Sequence, residues 1–311
     1  TDGAGSMEES YFHPAWVSLV VPFHVSAYEP VDRRFPSTLS PENSWAAELI
    51  YDLLQVPPGR GLLGKAVEGR FRPARIPPIS VIIPTFQEEK YVAETLSHLA
   101  KVKPETEIIV VDGGSRDDTV HIARRLADRV YKIWEQGISK ARNYGARHSH
   151  GEILVFLDAD VIPPRDFPEK VAETFEDPKV VGATCTIMPS SPSFIERVFF
   201  VFYNRLIRIS SLLPYTKFKR HSRGEFIAVR KSEFQRVGGF NESIACLEDY
   251  DLAARLARLG KFAFIEDLTV YESIRRIRSL GLLRTVWIWL VNFMSFILRG
   301  EPIAKVWKPV R

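Results

Sequence analysis

An apolar run ends in two carboxylates at Gly151-Glu-Ile-Leu-Val-Phe-Leu-Asp158-Ala-Asp160. Mg²⁺ and Mn²⁺ are hard cations that take oxygen ligands, commonly one or two carboxylates completed by a substrate's phosphates. Asp158 and Asp160 could therefore hold Mn²⁺ or Mg²⁺ against a diphosphate. A plain polar turn after a strand would use the same residues. Two other apolar runs end in similar fashion, at Pro84-Thr85-Phe86-Gln87-Glu88 and at Asp112-Gly113-Gly114-Ser115. Lys140 and Arg142 fall near the start of a helical stretch after Gly137, where a cation could neutralise a diphosphate or simply face solvent. Glu248-Asp249 opens an amphipathic stretch, a place where acids also complement a helix dipole. His221 lies among Lys219, Arg220 and Arg223, a cluster that could touch phosphate or remain a solvated loop.

The elements that must position these groups alternate. Strands are expected over Ser80–Ile83, Glu107–Val111, Arg129–Ile133, Ile153–Leu157, Val180–Ile187, Phe226–Val229 and Phe262–Ile265. Helices are expected over Glu89–Ala100, Asp117–Ala127, Ile138–His148, Phe167–Phe175, Lys231–Val237 and Leu247–Leu259. Such alternation predicts an α/β fold, a mostly parallel sheet with helices on both faces. In these sheets ligands sit beyond the carboxyl ends of the strands, which is where the three polar clusters fall.

Taken in order, these motifs resemble the family 2 glycosyltransferases of GT-A fold. The matching segments are Val81–Glu88, Glu107–Thr119, Gly137–Gly145, Phe156–Asp160, and Gly238–Asn241 with Leu247–Leu252. The resemblance covers about residues 78–268. It implies that Pro84, Thr85, Glu88, Asp112 and Gly114 hold the nucleoside, through carboxylates that accept from base N–H or ribose hydroxyl groups. Lys140, Arg142 and Asp158 would serve the nucleotide diphosphate, with Asp158 and Asp160 as the metal ligands. Asp249, beside Glu248, would be the base that takes a proton from an acceptor hydroxyl, and a single in-line displacement would invert the anomeric carbon. His221 and Arg223 are the acceptor or phosphate candidates.

Composition narrows the partners. Two segments are both apolar and basic: residues 194–223 carry seven Lys/Arg against one acid, and residues 272–311 carry eight against two. That pairing suits a membrane surface better than nucleic acid. Arg284 and Arg299 bracket Thr285–Leu298, a run too short for a full span, with Thr285, Asn292, Ser295 and Arg299 on one stripe. An interfacial helix is expected there, and a second over Phe194–Leu213 with a stripe of Arg197, Asn204, Arg208 and Ser211. Trp16–Val25 is a third apolar stretch. Arg275-Arg276-Ile-Arg278 takes the place of a Gln/Arg/Trp motif found in cellulose-making relatives but lacks the Gln and Trp, which argues against long-chain polymerisation. Gly59–Ala66 resembles a phosphate-binding P-loop, but it follows Pro57-Pro58 rather than a strand and has Ala66 in place of a hydroxyl.

The expected organisation is an expression scar over 1–7, an irregular lead-in over 8–78 with a helix at Ala46–Leu54, a catalytic domain over 79–268 with an acceptor-side amphipathic insertion at 194–223, and a membrane-associating helix and basic tail over 269–311. No signal peptide is expected, and Cys185 and Cys246, far apart, fit a reducing compartment. The expected activity is metal-dependent, inverting transfer of a hexose, first mannose from GDP-mannose, to a polyprenyl or dolichyl phosphate or a lipid-linked saccharide, on the cytoplasmic face of the cell membrane. The partners would be a nucleotide-diphosphate sugar, a lipid-linked acceptor and the membrane, without nucleic acid. A UDP-sugar transferase acting on a cell-envelope glycan is the alternative, and a non-catalytic membrane scaffold is the alternative of another class.

Overall fold

The computed structural model describes residues 78–102, 106–212 and 222–304. The lead-in through residue 77, with its expected helix, the Trp16–Val25 stretch and the Gly59–Ala66 segment, lies outside the described residues. So do His221 and the basic tail from Lys305.

The described chain runs β1 (Ile79–Thr85), α1 (Val92–Leu99), β2 (Thr106–Asp112), α2 (Thr119–Leu126), β3 (Arg129–Lys132), α3 (Ile138–His148), β4 (Ile153–Leu157), β5 (Val161–Ile162) and α4 (Phe167–Thr174). It continues through β6 (Val180–Pro189), α5 (Phe194–Leu212), β7 (Phe226–Arg230), α6 (Lys231–Arg236), α7 (Glu248–Leu256), β8 (Lys261–Glu272), α8 (Arg275–Leu280) and α9 (Leu282–Arg299). Every strand and helix expected within the described residues forms, with most ends moved by a few residues. β8 runs to Glu272, past the expected domain limit at 268.

The eight strands form one sheet in the order β3-β2-β1-β4-β7-β6-β8-β5. The first four are mutually parallel. β7 then lies antiparallel between β4 and β6, while β6 and β8 are parallel. Alternation along the strands separates two cores. Val81, Ile83, Val110 and Val155 face one side with Leu96 of α1, Ala123 of α2 and Val171 of α4. Ile82, Leu154 and Phe156 face the other with Ala146 of α3 and Leu252 and Leu256 of α7. Gly145 lets α3 approach closely, since a Cβ there would stand 2.5 Å from Ile82 Cγ2.

β7 pairs with β6 only at Gly182 and Ala183. Beyond them side chains satisfy the exposed backbone, as buried amide groups require. Thr184 Oγ1 donates to the Phe226 carbonyl, and Asn204 of α5 both accepts from the Ile187 N–H and donates to its carbonyl. This is why Asn204, expected on a polar stripe with Arg197 and Arg208, is buried while those two are exposed.

The sheet-covering helices obey ordinary amphipathicity, but α9 inverts it. Its buried residues are Thr285, Asn292 and Ser295, and its exposed ones include Leu283, Trp287, Leu290, Met294 and Leu298. Asn292 accepts from the Ala304 N–H and Ser295 donates to the Glu301 carbonyl, so the expected polar stripe, Arg299 excepted, is turned inward. α5 likewise exposes Phe194, Ile195, Phe202, Leu206 and Ile209. The two helices meet where Trp289 lies against Phe199 and Tyr203.

Candidate active site

The ends of β1 and β2 are stitched together. Thr85 Oγ1 donates to Asp112 Oδ2 at 3.1 Å, and the N–H groups of Gly114 and Ser115 donate to Asp112 Oδ1 at 3.0 and 2.8 Å. Gly114 has φ 94°, a conformation that favours glycine. The Gln87 N–H donates to Ser115 Oγ and the Glu88 N–H to Thr119 Oγ1, both at 2.7 Å. Gln87 holds φ 57°. Pro84, Thr85, Glu88, Asp112 and Gly114 thus share one rigid rim, as their placement at adjacent strand ends predicts.

Asp158 and Asp160 follow β4 beside that rim. Asp158 keeps 28% of its side-chain surface exposed, Asp160 11%. Loss of hydration raises both carboxyls, Asp158 to about 6 against the pull of Arg142, and Asp160 to about 7 against that of Arg275. The acids Glu88 and Glu225 press Asp160 further in the same direction. Such a concentration of carboxylate oxygens suits a hard divalent cation. Among the described residues no three Asp, Glu, His or Cys side chains converge on one ion position. Asp158 and Asp160 would hold such an ion in company with a ligand's own oxygens, which is how Mg²⁺ is commonly bound beside phosphates.

Arg142 is fully buried and links Asp158 to Glu248, the neighbour of the candidate base. Its Nη2 donates to Asp158 Oδ1 at 2.8 Å and to the Gly224 carbonyl at 2.7 Å, and its Nη1 donates to Glu248 Oε1 at 2.9 Å. The guanidinium stacks over Phe240 at 5.1 Å. Lys140, by contrast, pairs with Glu135 at 2.6 Å at the surface.

Glu248 and Asp249 open α7, and Leu247 before them has φ 62°, a costly conformation for a residue with a branched side chain. Burial, then the neighbouring Glu248 and Glu225, push the Asp249 carboxyl up to about 8. A proton acceptor tuned near neutrality has the affinity expected of a general base. Tyr250, next in sequence, packs edge-on against Phe293 and Phe296 of α9.

Arg223 is buried at 3% exposure between the rings of Phe200 and Tyr203. It pairs with Glu225 at 3.0 Å and with Glu272, and donates to the Ile187 carbonyl. Here it ties the start of β7 to β6, to the end of β8 and to α5. Burial would raise Glu225, but Arg223 and the hydrogen bonds it receives together hold that carboxyl low, whereas Glu272 stays well above its ordinary value because burial prevails. Sequence reasoning did not single out Glu225 or Glu272. Each is a lone acid at a strand end, and only the Arg223-Gly-Glu225 spacing hints at a pair. A cavity of about 660 Å³, lined by Asn143, Arg147, Phe234 and Arg255 among others, is bordered by none of these site carboxylates.

Residues 80–232 match the family described as Glycosyl transferase family 2. An uncharacterized glycosyltransferase of Rickettsia conorii is 27% identical over 205 residues, 62% of this chain and 33% of the relative. The dolichyl N-acetyl-alpha-D-glucosaminyl phosphate 3-beta-D-2,3-diacetamido-2,3-dideoxy-beta-D-glucuronosyltransferase of Methanococcus voltae is 28% identical over 154 residues, 45% of this chain and 48% of the relative. The chain thus spans a third to about half the length of these curated relatives. Among solved structures, the mannosyltransferase of Pyrobaculum calidifontis in complex with GDP-Man and Mn²⁺ is similar at 25% identity with a TM-score of 0.55, over 80% of this chain and 73% of that one. The matched span holds the stitched rim, Arg142 and the paired aspartates, and this chain therefore carries a glycosyl transferase family 2 domain built on the GT-A fold.

Proposed function

We propose that this protein is an inverting, metal-dependent glycosyltransferase. It moves a hexose from a nucleotide-diphosphate donor to a lipid-linked acceptor at a membrane surface. The observation that carries the reading is the Arg142 bridge, which brings the Asp158–Asp160 pair and the Glu248–Asp249 pair to one sheet edge. The rim of Pro84, Thr85, Glu88, Asp112 and Gly114 takes the nucleoside. The metal supplies Lewis-acid stabilisation of the leaving diphosphate. Asp249 receives the proton of the attacking hydroxyl. Support for mannose from GDP-mannose comes from the Pyrobaculum structure. The acceptor named in the Methanococcus relative, a sugar on dolichyl phosphate, supports a saccharide hydroxyl carried on a polyprenyl lipid.

The reading is tested by thermal stabilisation with Mn²⁺ and GDP, UDP, GDP-mannose or UDP-glucose, with and without EDTA. A ligand at a hundred times its Kd adds about 2.7 kcal/mol. A metal-dependent rise with guanine nucleotides is expected. A rise with uracil nucleotides alone would select the UDP-sugar reading, and no rise with any would select a non-catalytic scaffold.

The inverted face of α9, continued by α5, is where lipid would lie. Its exposed apolar residues are interspersed with the exposed Arg197, Arg205, Arg284 and Arg299, the composition of an interfacial anchor. The helix has 18 residues and is long and apolar enough to cross a bilayer by length and composition. Its polar stripe, turned to the protein, suits one that lies along the surface. The cytoplasmic leaflet is the side we assign, since Cys185 and Cys246 are both free. Trp287→Asp should weaken sedimentation with anionic vesicles roughly thirtyfold, from about 2 kcal/mol of lost apolar burial. Undiminished binding would remove α9 from the contact.

A further inference from the structure

Arg275, at the start of α8, spends its whole guanidinium on two acids of the donor side. Nη1 and Nη2 donate to the two oxygens of Glu88 at 2.6 and 2.8 Å, and Nε stands 3.2 Å from Asp160 Oδ2. The fork lies over the Tyr91 ring at 4.7 Å. A bidentate, charge-assisted pair of this kind is among the stronger polar contacts a protein makes. These two acids are the ones the proposed reading needs for different ligands, Glu88 for the nucleoside and Asp160 for the cation.

We propose that Arg275 is a built-in counter-cation that competes with both donor-side ligands and thereby makes them help each other. The inference rests on the metal reading above. A divalent ion arriving alone must take Asp160 from Arg275 and sit near a fixed positive charge. A nucleoside arriving alone must take Glu88 from the same fork. Whichever ligand comes first meets the cost of loosening Arg275, and the second meets less of it. Two ligands that share one displaced competitor are thermodynamically coupled, and the coupling is reciprocal. The consequence is a site with little affinity for free metal and a preference for metal and nucleotide together.

The test is Mn²⁺ binding, followed by the electron paramagnetic resonance signal of free Mn²⁺. It compares wild type, Arg275→Gln, Arg275→Lys and Asp160→Asn, each with and without a nucleoside that carries no phosphate, guanosine or uridine. Such a probe has no phosphate to chelate the metal, and uridine lacks the purine N7 as well, so coupling seen with uridine passes through the protein. Arg275→Gln should bind Mn²⁺ alone roughly tenfold tighter and lose the dependence on nucleoside, within the 5–150-fold range of ordinary couplings. Arg275→Lys, with the charge but not the fork, should fall between and keeps the question open to measurement where the Gln variant folds poorly. If Mn²⁺ binding needs Asp160 yet both Arg275 variants match wild type, the counter-cation is overturned and the metal site stands. If Asp160→Asn binds Mn²⁺ as wild type does, the metal reading is overturned, and this inference with it.

Discussion

Replacing Asp249 by Asn should lower turnover on a saccharide acceptor by about 10²–10⁴-fold, the range of a lost general base. Donor binding should be unaffected. A lipid phosphate acceptor arrives already ionised and needs no base, so the same variant should glycosylate it at close to the wild-type rate. Full retention of activity on the saccharide would remove Asp249 from that role. The pH profile carries the same argument. With its carboxyl pushed up to about 8 by burial and by Glu248 and Glu225, Asp249 is mostly protonated at neutrality. The kcat/KM for a hydroxyl acceptor should rise through pH 7 and level off above about 8, and Asp249→Asn should abolish that rise. Stability should move the other way. A carboxyl that holds its proton in the folded state and loses it in the unfolded chain stabilises the protein fully below about pH 4 and ceases to do so as pH climbs through about 8. Asn carries no charge at any pH. The variant should therefore melt above wild type at pH 9, a gain in stability that accompanies a loss of catalysis.

The second large effect is expected at Arg142. Arg142→Met leaves Asp158 and Glu248 without the buried cation that both contact. Breaking such a pair from one side costs about 3–5 kcal/mol, a large part of a typical domain's 5–15 kcal/mol. Urea unfolding measures it. Asp158 can escape part of the penalty by taking a proton, more readily as the medium becomes acidic. The deficit should thus be greatest near pH 8 and shrink toward pH 5. Adding Asp158→Asn to Arg142→Met should recover part of the loss, and a deficit below about 1 kcal/mol would mean that the link is not structural. Arg142→Lys should not substitute, since an ammonium cannot reproduce the planar fork that reaches Asp158, Glu248 and the Gly224 carbonyl together.

Much of this site could be read from local sequence because each part is announced locally. A β-branched run that stops at Asp112-Gly113-Gly114 or at Asp158-Ala159-Asp160 declares both a strand and its polar end. What could not be read depends on partners distant in the chain. Nothing within Phe226–Arg230 says that it will lie antiparallel between β4 and β6. Nothing near Glu225 or Glu272 says that Arg223 will gather them. The stripe Thr285, Asn292, Ser295 was visible as a pattern, but its direction was not. A periodicity tells which residues share a face, and only the surroundings decide whether that face meets water, protein or lipid. Asn204 shows the same limit, since its inward turn follows from the unpaired edge of β6 at Ile187, a vacancy created by the early divergence of β7. Asp251 and Arg255, spaced as i and i+4, needed no such context and pair at 2.6 Å.

The connection between β6 and β7 bears on how such chains diversify. Adjacent antiparallel strands can be joined by a two-residue turn, so the sheet itself asks for almost nothing between Pro189 and Phe226. α5 is an excursion hung on a hairpin, fastened along one face by Asn204, by the buried Phe200 and Ile207 and by Arg208 on Glu266. Lengthening a closed loop costs little free energy, growing only with the logarithm of its length. Away from those fastenings, added length in this connection should therefore cost little stability. Its length and outer surface could thus change while β1, β2 and β4 keep the register that sets their polar ends side by side.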